Sequence, residues 1–565
     1  MFDWLKRKRP APEASMNLDA AIATADSLRE RGEADRAIEA YEAVHRADPS
    51  RVYPLYWLAT MHLELKSFDA AADYAARGLA LDDSQVGLLL RAAEIAKDRH
   101  DFVTALRHYE RARALAPDIP MIDALIADQL CYGARSDEGI AAFRRQLQVT
   151  PDNVALQQNL LFVTNFSDTI SPEEIVREHR EWGARHERVV RPMPPRRKRA
   201  DRVRPRIGYV SPDFRNHAVS FFVDGLFAQH AAQGREFTVF DIAPDATEDA
   251  VAARLRQRAA RWITLGGCSA ERVAEAVRNE DIDILVDLAG HTNHNRLLAF
   301  ASKPAPIQVS WLGYLQTSGL STMDYRFTDP FMDPEGMTED LYTEELIRLP
   351  VQACFTARSD MPDVAPLRSD GPGLRFGSVN NWAKSSPSTR AAWGAILRAC
   401  PEAELAVIAR GGHHAGVQAS IREMLEAEGA SPAQVTVNPV TNTSDFLRWL
   451  GSLDVVLDPF PYGGGTTTMH SIYMGVPVVT LAGRRAMARN SVGPLHAVGL
   501  ADLVTPDVKA YVERAIELAR DRTRLRELRR TLRPVMQASP IMDARAFAAS
   551  LEDAYAAMYA RWRDG

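Results

Sequence analysis

Two patterns of apolar and polar positions divide the chain. From residue 205 onward, short apolar, β-branched runs of strand length recur: RIGYVS, EFTVFDIAP, DILVDLAG and APIQVSWLG. A second series begins near 374 with LRFGSVN, AELAVIAR, QVTVNP, DVVLDPF and VPVVTLAG. Stretches with helical spacing, such as ERVAEAVRNED, PSTRAAWGAILRAC and DFLRWLGSL, separate them. Apolar strands alternating with helices predict parallel, doubly wound sheets. Two such α/β domains are expected in tandem, over 205–370 and 371–565. The Pro/Gly-rich stretch from about 340 to 372 is expected to join them, and the helical end, 507–564, to pack back across both.

The first third has another period. Pro49, Asp83, Pro117 and Pro151 stand 34 residues apart, each in an acidic turn. At a fixed offset upstream come the small residues Ala37, Ala71, Ala105 and Gly139, where two helices must approach closely, and four residues later Tyr41, Ala75, Tyr109 and Phe143. A 34-residue period with a small residue, an aromatic plug and a closing proline resembles tetratricopeptide repeats. Four repeats are predicted over 17–152, with capping helices over 153–190 and a flexible N-terminus over 1–16. Such arrays offer a concave face to peptides or other subunits, so this part is expected to recruit a protein. The prolines and like charges of RPMPPRRKRADRVRPR predict a solvated linker over 191–204.

Composition narrows the class. The 565 residues are 46% hydrophobic and 25% charged, which is globular. A net charge of −6, from 68 basic and 74 acidic residues, argues against a general nucleic-acid binder. Cys131, Cys268, Cys354 and Cys400 form no CxxC pair, so neither a disulfide framework nor a metal site is expected, and a cytoplasmic location is. No run of about eighteen apolar residues predicts a membrane span.

Candidate chemistry gathers at strand ends. In LDPFPYGGGTTTMHSIYMGVPVVTLAG a strand ends at Asp458, and Gly463, Gly464 and Gly465 lead into Thr466, Thr467 and Thr468, which should open a helix. Glycines let the backbone approach a ligand, and a helix start presents unpaired N–H groups to an anion. This predicts a diphosphate site without metal. In FGSVNNWAKSSPST, Lys384 follows a strand, where it can neutralise charge on a leaving phosphate. His217 and His291 follow two other strands and are candidates for a general base or a substrate orienter.

These motifs occur together and in order. RIGYVSPDFRNHAVS, DILVDLAGHT, KPAPIQVSWLGYLQTSGLSTMDYRFTD, NNWAKSSPST, LDPFPYGGGTTT and MGVPVVTLAG resemble the protein O-glycosyltransferases that include O-linked N-acetylglucosamine transferases and the SPINDLY proteins. The resemblance runs from about 205 to the C-terminus and implies a metal-independent, inverting GT-B enzyme using a nucleotide sugar. By position, His217 and Lys384 match its active-site histidine and its diphosphate-contacting lysine. Asn381 matches a polar residue near the nucleotide, and Thr466 and Thr467 the phosphate-binding threonines. Trp311, Gly313, Thr317, Ser318 and Gly319 match the sugar-pocket loop, and His291 the GHT histidine.

Thr443 and Phe446 stand where the animal enzymes place uridine-holding Lys and His, and His470 where they place a ribose-binding aspartate. His470 could bond the same hydroxyls or meet an extra donor charge. The expected donor is UDP-N-acetylglucosamine and the acceptor a protein Ser or Thr. A CMP-nonulosonic acid donor with flagellin as acceptor is the alternative, an inactive repeat scaffold the reading from another class, and a homodimer is possible.

Overall fold

The computed structural model describes residues 17–196, 202, 204–245, 249–367 and 373–564. The predicted flexible segment 1–16 lies outside them. The chain forms two compact units, Met1–Gln129 and Leu130–Gly565.

The first unit contains three antiparallel helix pairs: Leu18–Glu30 with Ala34–Ala47, Val52–Glu64 with Phe68–Leu81, and Val86–Asp98 with Phe102–Leu115. Ala37, Ala71 and Ala105 are completely buried, and so are Tyr41 and Tyr109, because a small residue at each crossing lets the helices close over the aromatic ring. The first helix of each pair ends in a left-handed residue, at Gly32, Lys66 and His100, again 34 residues apart.

The boundary between the units falls inside the helix Ile122–Tyr132. In the second unit the 34-residue period continues with a left-handed residue at Ala134 and the helix Ser136–Val149, in which Phe143 is buried. Helices Val154–Val163 and Pro172–Glu187 follow.

Two parallel sheets come next. The first contains β1 (Ile207–Ser211), β2 (Phe237–Asp241), β3 (Arg261–Thr264), β4 (Ile284–Asp287), β5 (Ile307–Ser310), β6 (Tyr325–Thr328) and β7 (Glu345–Arg348), in the order 3-2-1-4-5-6-7. The second contains β8 (Arg375–Ser378), β9 (Glu404–Ala409), β10 (Val435–Pro439), β11 (Val455–Leu457), β12 (Val478–Leu481) and β13 (Val504–Thr505), in the order 10-9-8-11-12-13. In both, the strand order reverses between two central strands, β1/β4 and β8/β11. Ligands of open α/β sheets bind at the carboxyl ends beside that reversal.

Alternation along the strands covers both faces of the first sheet. Tyr209, Val239 and Val286 join one core, with Phe547, Leu551 and Tyr555 of the C-terminal helix Ala544–Asp564. Val210, Phe240 and Leu285 join the other, with Trp182 of the helix Pro172–Glu187.

Two expectations are corrected here. The helical end meets both lobes, but the bound 371–565 does not hold: helix Val508–Arg520 packs on the second sheet, while helix Ala544–Asp564 completes the first lobe, where the Tyr209 and Tyr555 hydroxyls lie 2.9 Å apart and Arg235 Nε donates to Glu552 at 3.0 Å. Residues 345–348 are the edge strand β7, so the segment joining the lobes starts after it. In the linker, Arg191, Pro192, Pro194, Pro195 and Arg204 are exposed, while two arginines tie it to the first lobe: Arg196 pairs with Asp281, and Arg202 donates to Asp281 and Asp283 at 2.5 and 2.7 Å.

Candidate active site

The loops after the central strands build the site. Asp458, directly after β11, is fully buried and organises the glycine turn. Its Oδ1 accepts the Gly464 N–H at 2.7 Å and the Asn380 amide at 3.1 Å, while its Oδ2 accepts Thr480 and Ser491 hydroxyls at 2.8 and 2.7 Å. A Cβ on Gly464 would lie 2.5 Å from Thr467 Oγ1, so only glycine lets the turn close on the helix. The helix Thr466–Tyr473 then starts at Gly465 with no side-chain cap, leaving its first-turn N–H groups to an external acceptor.

Lys384 closes the same turn from β8. Its Nζ donates to Gly463 O at 3.1 Å and Asn380 Oδ1 at 3.4 Å, and sits 3.9 Å from the centre of the Tyr462 ring. Burial lowers its pKa to about 8 against the opposing pull of Asp458. Thr467 Oγ1 donates to the same Asn380 oxygen at 3.1 Å. Asn380 is therefore the junction that sequence reading missed. Asn381 is exposed, and its side chain accepts the Ala383 N–H at 3.3 Å. Thr468 is buried, its hydroxyl 2.7 Å from Ser491 Oγ.

His217 is exposed on the loop after β1. Its Nδ1 lies 3.6 Å from Asp213 Oδ2. The loop is fixed by Asn216 N–H donating to Asp249 at 2.6 Å and by Arg358 donating to Asn216 and Ser220 at 2.7 and 3.0 Å. The surrounding protein lowers the His217 pKa, and Asp213 opposes that shift.

His291 does not reach the cleft. It is buried, Nε2 is 2.9 Å from Ser318 O, and its ring packs against Trp182, His179 and Tyr314. Burial drives its pKa well below the usual value, so its place is structural. Thr317, Ser318 and Gly319 are also internal. Glu344 accepts the Thr317 and Ser318 hydroxyls, at 2.7 and 2.5 Å, and Gly319 lies against His179 O, which a Cβ would meet at 2.1 Å. Trp311 is core, donating to Gln352 O at 2.9 Å, and a Cβ on Gly313 would meet Leu288 O at 1.9 Å.

His470 lies at the meeting of the lobes. Its ring is 4.7 Å from that of Phe221, which follows the His217 loop, and 6.1 Å from Phe446. Burial lowers its pKa to about 3, so it is neutral at pH 7 and offers hydrogen bonds but no charge to a donor. Thr443 opens the helix Thr443–Gly451.

Two facing Rossmann-like lobes with these loops between them define a GT-B glycosyltransferase fold. The chain belongs to glycosyl transferase family 41, whose model matches residues 190–361 and 372–551. A probable UDP-N-acetylglucosamine–peptide N-acetylglucosaminyltransferase SPINDLY of Oryza sativa subsp. japonica is 36% identical over 75% of this chain and 46% of that protein. Its Arabidopsis thaliana counterpart is 35% identical over 74% of this chain and 46% of its own length. The chain thus spans about half the length of these relatives. A point variant of the Thermobaculum terrenum O-GlcNAc transferase has the same architecture, with a TM-score of 0.81 at 29% identity over 91% of this chain and 98% of that one. Among the described residues, no helix is long and apolar enough to cross a membrane.

Proposed function

We propose that the protein transfers a sugar from a nucleotide diphosphate donor, UDP-N-acetylglucosamine by default, to a Ser or Thr hydroxyl of a protein recruited by the repeats, with inversion and without a metal. The observation that carries this reading is the uncapped helix start at Thr466 beside the Lys384 ammonium. The acceptor oxygen bonds to the anomeric carbon as the carbon–phosphate-oxygen bond breaks. The electron pair passes to the diphosphate, where Lys384 and the first-turn N–H groups meet the charge. The hydroxyl proton passes to His217, the exposed imidazole beside Asp213.

A melting screen of the protein against UDP, UDP-N-acetylglucosamine, GDP-fucose, CMP and CMP-sialic acid tests the donor. A ligand at a hundred times its dissociation constant stabilises the fold by about 2.7 kcal/mol. Stabilisation by UDP compounds is the expected result. A response to CMP compounds alone moves the reading to nonulosonic-acid transfer, and no response to any nucleotide favours an inactive scaffold.

The His217 role carries a pH signature. The neutral imidazole is present above its pKa, so kcat/KM rises with pH and levels off below the usual histidine value. Asp213 favours the protonated ring, so Asp213→Asn is expected to move this acid limb to lower pH. Unmoved limbs in pH–rate profiles of the two proteins would remove His217 as the base.

A further inference from the structure

Lys384 Nζ lies over the Tyr462 ring, and that ring has support of its own. Its neighbour is Phe166, with ring centroids 5.5 Å apart. Phe166 belongs neither to a repeat nor to a lobe, but to the short turn Thr164–Phe166 between the two helices that follow the fourth repeat. The same turn is pinned to both lobes: Arg485 donates to Asn165 Oδ1 at 3.0 Å, and the Asn165 amide donates to the Tyr314 hydroxyl at 3.0 Å.

Further contacts bind this region to the segment that follows Lys384. Asp168 accepts the Ser388 N–H at 2.9 Å, in the first turn of the helix Pro387–Ala399. Arg390, on that helix, donates to Ala134 O of the fourth repeat at 3.1 Å. Lys384 is thus held by the glycine turn, and the ring it rests on is backed by the segment after the repeats.

We infer that Phe166 is a positioning residue for the donor site: it packs against the Tyr462 ring on which the Lys384 ammonium rests, which makes the segment joining the repeats to the lobes part of the donor-binding machinery. Phe166 touches no reacting atom. It fixes the plane of Tyr462 and excludes water from beside Lys384. Loss of the ring lets Tyr462 tilt and water reach the ammonium. The consequence for donor binding rests on the proposed function, whereas the positioning itself does not.

The experiment uses the full chain with Phe166→Ala and, to keep an apolar side chain there, Phe166→Leu. Melting curves establish that both variants fold. The first readout is acylation of Lys384 by an amine-reactive ester as a function of pH, followed by peptide mass spectrometry, which is tractable because the chain has only eight lysines. Both variants are expected to move the Lys384 midpoint up from about 8 toward the ordinary lysine value, with the other lysines unchanged. The second readout is UDP and GDP binding, expected to weaken about three- to tenfold, with no added loss when Phe166→Ala is combined with Lys384→Met. An unchanged midpoint in both variants overturns the inference. A shifted midpoint with unchanged nucleotide affinity keeps the positioning role and overturns instead the assignment of Lys384 to the donor diphosphate.

Discussion

Lys384→Met is expected to lower kcat/KM by about 10²–10³, the effect of removing one donor from developing negative charge in a water-poor site. Methionine keeps most of the aliphatic stem and its packing on Tyr462, so the fold is expected to persist. What disappears is the charge that Gly463 O, Asn380 Oδ1 and the Tyr462 face now hold in place. The loss should fall on the transition state, lowering kcat more than it raises the acceptor KM. The wild-type enzyme should also lose kcat/KM as pH rises through about 8, because that is where the free enzyme's Lys384 gives up its proton. The variant, having no ammonium, should lack that alkaline limb. Steady-state kinetics of both proteins across pH 6–10 check this, and a limb that survives in Lys384→Met would belong to another group.

How much of this was legible in the sequence depends on what each residue's neighbours are. The repeats were legible because Ala37, Ala71 and Ala105 recur at positions where only a small side chain fits, and the structure buries all three completely. Their left-handed turns were not, because Gly32 is followed at the same place by Lys66 and His100, which carry no turn signature. The central strands were legible as apolar runs buried on both faces, whereas β3 (RWIT) and β7 (ELIR) lie at sheet edges, where half-exposed, charged positions break the apolar run. Lys384 and the threonine helix were legible from residue type and place.

The histidines were not legible. His217, His291 and His470 all follow strands or turns of the right kind, but only burial separates an exposed loop imidazole from two packed among aromatic rings. Asn380 and Asn381 are adjacent and identical, and which one turns inward is set by the fold around Asp458, not by any local signal. The bound 371–565 groups the C-terminal helix with the second lobe because it follows that lobe in sequence. Its apolar stripe of Phe547, Leu551 and Tyr555 does not say which sheet it covers.

Asp458→Ala is expected to destabilise the protein by about 3–5 kcal/mol, more than any other single change at the site. The reason is the number of groups left without an acceptor. The Gly464 N–H, the Asn380 amide and the Thr480 hydroxyl all end on this fully buried carboxylate, as does the Ser491 hydroxyl, which also has Gly464 O within 2.9 Å. Removing one member of a buried, charge-assisted network exposes the desolvation cost of each remaining group. The main chain there is held as well, by the Tyr511 hydroxyl donating to Asp458 O at 3.0 Å, with Trp393 Nε1 donating to that hydroxyl at 3.2 Å. The strand β11 should therefore stay in the sheet while the turn after it loosens.

Calorimetry is expected to show the transition of the unit Leu130–Gly565 lowered by about 3–5 °C, since the unfolding entropy of so large a unit is large. Asp458→Asn should fall less, since the amide oxygen still accepts from the Gly464 N–H, although its NH₂ group meets hydroxyls that must reverse direction. Nucleotide binding should be lost in Asp458→Ala even below its melting temperature, because the helix start at Thr466 is aimed by the turn that Asp458 fastens. A variant that melts like the wild type, or that binds nucleotide unchanged, would show that the turn holds its shape without the carboxylate.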